Sequence, residues 1–158
     1  MIQRIQSVFL LLLALAMLGV AVLPLWTKTD PISHAELTLT AFRVFRSAAP
    51  DAGGTVFPAW PIGALALATA ATALYAIFQY RRRSVQLLLC SINLLLLVAT
   101  LGAEFLYSGR ADQLLNIKME GHYLIGFYLP TLALMLNLLA SRYIRHDERL
   151  VRSMDRLR

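Results

Sequence analysis

Residues 85–107 read VQLLLCSINLLLLVATLGAEFLY, and this stretch decides the fold. Its only charged residue is Glu104, close to its C-terminal end. A helix needs about 20 mainly apolar residues to cross the hydrocarbon core of a bilayer, where each unpaired backbone amide costs several kcal/mol. We therefore predict that residues 85–107 form a transmembrane helix.

Three further stretches have the same character, and they are residues 7–26, 60–80 and 122–144. The whole chain of 158 residues is 58% hydrophobic and only 15% charged, with a mean hydropathy of +0.62. A soluble domain of this size cannot bury so much apolar surface. The sequence therefore predicts one membrane domain over residues 1–158, an all-α integral membrane protein built as a four-transmembrane-helix bundle. A cleaved signal peptide is less favoured for the first stretch, which is longer than the roughly 7 to 15 apolar residues of a signal core.

The connections between these helices differ in positive charge. Short loops rich in Lys and Arg stay in the cytoplasm. One side of the predicted bundle carries ten such residues, namely Arg4, Arg81, Arg82, Arg83, Arg142, Arg145, Arg149, Arg152, Arg156 and Arg158. The other side carries five, namely Lys28, Arg43, Arg46, Arg110 and Lys118. We expect both termini to be cytoplasmic and the 27–59 loop to lie outside.

The outer loop, residues 27–59, is the largest soluble segment. Residues 36–46 are rich in β-formers and are predicted as one strand. Residues 50–54, PDAGG, have turn chemistry, and residues 55–57 are expected to return antiparallel to the strand. The loop is thus predicted to be a small extracytoplasmic β-hairpin. Residues 112–117, in the other outer connection, are expected to form one surface turn of helix.

The tail, residues 145–158, is predicted as a C-terminal amphipathic cytoplasmic helix. Its arginines recur every three to four residues and form a basic stripe, completed at the end of the chain: Arg145, Arg149, Arg152, Arg156 and Arg158. Such a stripe suits an anionic lipid surface, an acidic protein or RNA. The plainer interpretation is a solvated end that follows the positive-inside rule.

The sequence predicts no catalytic, cofactor or metal site, because no known catalytic or ligand spacing is present. Glu104 and His122 are candidates for an outer polar vestibule. A plain interfacial carboxylate, solvated at the outer end of its helix and paired with Arg110 or His122, is the preferred interpretation of Glu104. Two asparagines at similar depth, Asn93 and Asn137, are expected to hydrogen-bond across their helix pair.

Pro130 is expected to bend the fourth helix as a structural feature. Apart from the two asparagines, we expect a dry and chemically quiet bundle interior.

Both ends of the chain carry specific motifs. The chain opens with MIQRIQ at residues 1–6 and closes with DERLVRS at 147–153 and DRLR at 155–158. The fourth apolar stretch carries GFYLP at 126–130, followed by Asn137 and Ala140. This pattern resembles a bacterial four-helix inner-membrane family catalogued as domain of unknown function 4293. The resemblance implies the fold, a location in the bacterial inner membrane and a contact at the cytoplasmic ends. It implies no reaction.

Three functions remain in view. The first is a non-enzymatic accessory or scaffold subunit of an inner-membrane protein complex, which rests on the sparse polar interior. The second is a small transporter or channel component that uses the vestibule around Glu104 and His122. The third is a membrane tether for RNA or for expression or secretion machinery through the basic tail.

Overall fold

A computed structural model describes residues 3–31, 35–47, 54–80, 82–114 and 121–155. Four long helices dominate it, and all are long and apolar enough to cross a membrane. They are α1 (Gln3–Val22), α2 (Trp60–Phe78), α3 (Arg83–Leu114) and α4 (Ile125–Asp155). Each helix packs against its two neighbours in the cyclic order α1, α2, α3, α4. This arrangement confirms the predicted four-helix bundle.

One end of the bundle carries a five-stranded antiparallel sheet. Its strands are β1 (Trp26–Thr29), β2 (Glu36–Leu39), β3 (Arg43–Ser47), β4 (Gly54–Pro58) and β5 (His122–Tyr123), in the spatial order β4-β3-β2-β1-β5. Backbone hydrogen bonds tie the sheet to helix ends, for example from Gly63 N in α2 to the carbonyl of Ala41. We call this end the sheet end and the opposite one the tail end.

The expectation of a single hairpin was wrong, although the antiparallel return of β4 onto β3 is confirmed. The predicted strand 36–46 is interrupted by a tight turn, in which the amide and hydroxyl of Thr40 both donate to the carbonyl of Arg43. Strand β5 and the first residue of β1, Trp26, come from residues that the sequence assigned to helix ends, whereas residues 27–29 of β1 lie in the predicted outer loop. The turn predicted at residues 50–54 lies outside the described residues except for Gly54.

Helix bounds also differ from the predicted ones for local reasons. Helix α1 ends at Val22 rather than Trp26, because Pro24 has no N–H and disfavours helical geometry in the residue before it. Helix α3 continues past residue 107 to Leu114, so residues 112–114 extend it rather than forming a separate turn, and residues 115–117 lie outside the described part. Helix α2 matches its prediction closely, and Pro61 occupies the first turn, where its missing N–H costs nothing.

Helix α4 begins at Ile125, since His122 and Tyr123 pair with β1. It then runs unbroken to Asp155, so the fourth span and the predicted tail helix are one helix. Gly126 sits where α4 approaches the end of α1, and a Cβ there would lie 2.6 Å from the carbonyl oxygen of Pro24. Only glycine permits this backbone contact. A bend at Pro130 stays a prediction.

Candidate functional site

The inner face of α3 is unexpectedly polar. Its buried positions recur every three or four residues, which is the spacing of one helix face. Most of them carry a polar group, and these six residues are called the polar row: Gln86, Cys90, Asn93, Thr100, Glu104 and Ser108. The expectation of a chemically quiet interior was therefore wrong. The three- to four-residue spacing is visible in the sequence. The prediction considered only how deep each polar residue lies in the membrane and not which face of the helix carries it.

Glu104 is the most unusual member of the polar row. Its side chain is 0% exposed, and neither carboxylate oxygen has a hydrogen-bond partner within the described part of the chain. The prediction of a solvated interfacial carboxylate paired with Arg110 or His122 was wrong. Both of those residues are exposed, and the Arg110 guanidinium lies over the Tyr107 ring, 5.8 Å from its centroid. Glu104 faces the bundle because it shares a helix face with Thr100 and Ser108.

The hydroxyls on either side of Glu104 are locally satisfied. Thr100 Oγ1 donates to the carbonyl of Leu96 at 2.8 Å, and Ser108 Oγ donates to the carbonyl of Phe105 at 3.1 Å. Each hydroxyl oxygen still has lone pairs to offer, because a hydroxyl can accept as well as donate. Glu104 thus lies one turn from an oxygen acceptor on each side along α3.

A half-buried ion pair lies at the sheet end, about two turns along α3 from Glu104. Lys28 in β1 is only 2% exposed, and its Nζ lies 2.9 Å from Oδ1 of Asp112 and 3.2 Å from the backbone oxygen of Asp112. The Asp112 side chain is 49% exposed. Lys28 therefore neutralises a carboxylate and donates to a backbone carbonyl of α3. Sequence reasoning missed the pair because it treated Lys28 as a loop charge.

Two asparagines lie deeper in the bundle and do not bond to each other. Asn93 accepts a hydrogen bond from the Thr72 hydroxyl of α2. Asn137 of α4 donates from Nδ2 to the backbone carbonyl of Cys90 in α3 at 2.9 Å. The backbone carbonyl of Asn137 accepts a hydrogen bond from the Ser141 hydroxyl at 2.8 Å. The asparagines thus join α3 to two different neighbours. Asn93 Nδ2 and Asn137 Oδ1 have no partner among the described residues.

The tail end presents a cleft on α4 of about 840 Å³. It is lined by Leu138, Leu139, Ser141, Arg142, Tyr143, Arg145 and His146. Of the predicted basic stripe, Arg145 is exposed and lines this cleft. Arg149 and Arg152 belong to α4 further along the helix. Arg156 and Arg158 lie outside the described residues.

Metal ligation has no support in the described ranges, where no three His, Cys, Asp or Glu side chains come together as ligands.

Comparison with known proteins identifies the family of this chain. No curated protein matches the sequence. The family model described as a domain of unknown function, DUF4293, matches residues 2–157, nearly the whole chain. The protein belongs to the DUF4293 family.

Proposed function

We propose that this protein is a small membrane transport component in which Glu104 binds a proton or a small cation during passage through the bundle. The observation that carries the proposal is the complete burial of a carboxyl group whose two oxygens have no partner among the described residues. Ionisable groups at membrane depth are costly to keep, so they mark ion pathways more often than structural contacts.

The electrostatic argument concerns the counter-charge. A carboxylate without a partner in a low-dielectric interior costs several kcal/mol, so a buried Glu104 requires either a proton or a cation beside it. Lys28, the buried cation at the same end, has its ammonium on Asp112. Asp112 lies eight residues further along α3, a rise of about 12 Å. The charge that accompanies Glu104 is therefore best supplied by the transported ion.

The polar row supports a path as well as a binding point. Polar side chains continue from Ser108 near the sheet end to Gln86 near the tail end, along one face of a single helix. Thr100 and Ser108 supply oxygens next to Glu104, and oxygens are the ligands that proton relays and hard cations use. Leu97 interrupts the row and forms an apolar barrier between Thr100 and Asn93. Such a barrier suits gated transport rather than an open pore.

The proposed orientation follows from charge. With ten Lys and Arg residues assigned to the tail end and five to the sheet end, the tail end faces the cytoplasm and the sheet lies outside. In a bacterial inner membrane, Glu104 is then reached from the outer side, beneath the sheet and the Lys28–Asp112 pair.

The test is ion flux in proteoliposomes that contain the purified full-length protein and, in separate preparations, an internal dye sensitive to H⁺, Na⁺ or K⁺. Imposed gradients of H⁺, Na⁺ and K⁺ are applied in turn to the wild type, to Glu104→Gln and to the control Glu36→Gln. Glu36 is an exposed carboxylate that accepts a hydrogen bond from Thr27 at 2.8 Å. We expect flux of one ion in the wild type and in the control, and loss of that flux in Glu104→Gln, which keeps the side-chain shape.

Two outcomes contradict the proposal. One is wild-type flux no faster than that of empty vesicles for all three ions. The other is full flux in Glu104→Gln. Size-exclusion profiles of the three proteins provide the folding control, since an aggregated variant says nothing about transport.

A second function, an accessory subunit of a membrane complex, is favoured by a specific feature of the sheet. Strand β4 is an edge strand and largely exposed, and Val56 within it is 43% exposed. Trp60 follows at the start of α2 and is 62% exposed. Unpaired edge strands with apolar side chains are sites where a partner can add a strand.

Co-purification in mild detergent distinguishes this second function. The wild type should retain a stoichiometric partner that Val56→Lys loses, because a charge on the edge opposes strand addition. Thr72→Val, inside the bundle, serves as the control and should retain the partner. Recovery of the wild type alone in several detergents contradicts the accessory role.

A further inference from the structure

We propose that the α4 cleft at the tail end binds the headgroup of an anionic phospholipid. This inference is independent of the transport function, since it concerns the opposite end of the bundle from Glu104. The cleft of about 840 Å³ is open to its surroundings and, in the described part of the chain, is lined by α4 alone, so it offers a surface on which a lipid headgroup can lie.

The cleft has two chemically distinct halves that follow each other along α4. Leu138 and Leu139 form the apolar half and are exposed on the outside of the bundle. Arg142, Arg145 and His146 form the polar half, one turn further along. Along α4 the uncharged run 125–141 is followed by Arg142 and Arg145. The boundary between the halves therefore lies where hydrocarbon gives way to headgroups in a bilayer, and an amphiphile matches both halves at once.

The polar half favours phosphate. Arg142 and Arg145 are three residues apart and so lie on the same side of the helix, where both guanidinium groups reach one ligand. Guanidinium forms paired hydrogen bonds with phosphate oxygens, which makes arginine well suited to phosphate recognition. None of the described lining residues is acidic. An anionic lipid such as phosphatidylglycerol satisfies this charge, whereas phosphatidylcholine adds an ammonium that the arginines repel.

One wall of the cleft is held in place by an aromatic contact. The ring of Tyr143 stacks on Phe9 of α1, with centroids 5.6 Å apart and planes 23° from parallel. The neighbouring Ile144 is fully buried in the bundle. The cleft therefore presents Arg142 and Arg145 from a packed helix face. Soluble polyanions such as RNA would match the arginines but not Leu138 and Leu139, so lipid is the better occupant.

The test uses purified full-length protein in dodecyl maltoside and native mass spectrometry with added phosphatidylglycerol or phosphatidylcholine. The variant Arg142→Gln/Arg145→Gln removes the two cleft charges. Its matched control, Arg82→Gln/Arg83→Gln, removes two charges from the same end of the bundle but outside the cleft. Each arginine near an anionic lipid strengthens binding roughly 5-fold. We therefore expect the dissociation constant for phosphatidylglycerol to be about 25-fold larger in the cleft variant. The control should change far less.

Further arms separate the sources of phosphate. Inorganic phosphate at millimolar concentration should not displace phosphatidylglycerol, because it cannot occupy the apolar half. Displacement by inorganic phosphate, equal binding of the two lipids, or equal loss in both double variants each overturns the proposal. Stronger competition by poly(U) RNA than by phosphatidylglycerol also overturns it and assigns the arginines to nucleic acid.

Discussion

Removing either partner of the Lys28–Asp112 pair should have very unequal effects. Lys28 is almost completely buried, whereas Asp112 has about half of its side chain in contact with solvent. Substituting Asp112 by Ala removes the carboxylate that lies 2.9 Å from a buried ammonium. Substituting Lys28 by Met fills the same space with an apolar chain and leaves Asp112 in contact with water. The asymmetry follows from burial alone.

The magnitude can be estimated from the pair's surroundings. Breaking a buried ion pair from one side typically costs about 3 to 5 kcal/mol. Solvent at Asp112 weakens the pair, and Lys28 keeps its bond to a backbone oxygen, so we expect a value near 3 kcal/mol for Asp112→Ala. Lys28→Met should cost about 1 kcal/mol or less, because buried ion pairs are often replaced by apolar residues at little cost. The double variant should then be more stable than Asp112→Ala.

The assay is unfolding by sodium dodecyl sulfate in mixed micelles, followed by fluorescence of Trp26 in a Trp60→Phe background. Trp26 is buried in β1, two residues from Lys28, and so reports on the sheet. The reasoning is refuted if Lys28→Met is as destabilising as Asp112→Ala, or if the double variant is the least stable of the three.

Three other predictions use the same chain. Gly126→Ala should destabilise the protein by about 1 to 3 kcal/mol in the same unfolding assay, because the added Cβ would meet the Pro24 carbonyl. The control Gly102→Ala should be neutral or stabilising, because a Cβ at that position meets no atom within 4 Å. Glu104→Leu should raise the free energy of unfolding by about 1 to 3 kcal/mol while removing ion flux, since it deletes two unpartnered buried oxygens; a loss of stability would contradict this. In a Cys90→Ala background on intact cells, an impermeant maleimide should label Thr55→Cys but not Arg82→Cys, and the reverse result would invert the proposed orientation.

Much of the bundle was predictable from sequence because lipid imposes a simple rule on composition. About 20 apolar residues must follow one another, and four such stretches are plain in this chain. The sheet was harder to predict, since β1 and β5 are short segments that directly adjoin helices. Their pairing depends on three chain connections meeting at one end of the bundle. No local pattern in residues 26–29 or 122–123 encodes that meeting.

The buried site was only half predictable, for a reason specific to α3. Glu104 was identified as the one ionisable group at membrane depth, but its exposure was misjudged. The helix was expected to end at residue 107, which would place Glu104 at the water boundary. Because α3 continues to Leu114 and the sheet packs over it, Glu104 lies inside the folded protein, about two turns along α3 from Asp112. An error of at least seven residues at one helix end therefore changed the chemistry assigned to a side chain.

The polar groups inside the bundle fall into two classes with different consequences. The hydroxyls of Thr69, Thr100 and Ser108 bond to carbonyls of their own helix, so they cost little and need no partner helix. An ionised Glu104 cannot bond in this way, because a carboxylate is only an acceptor and the backbone amides along a helix are already used. Leaving its two oxygens unpartnered costs about 1 to 3 kcal/mol or more, a large share of the stability of a small domain. Leucine at the same position would stabilise a bundle that served only as a scaffold. Keeping glutamate there lowers stability, and the proposed transport role accounts for that cost because a bound proton or cation would neutralise the buried charge.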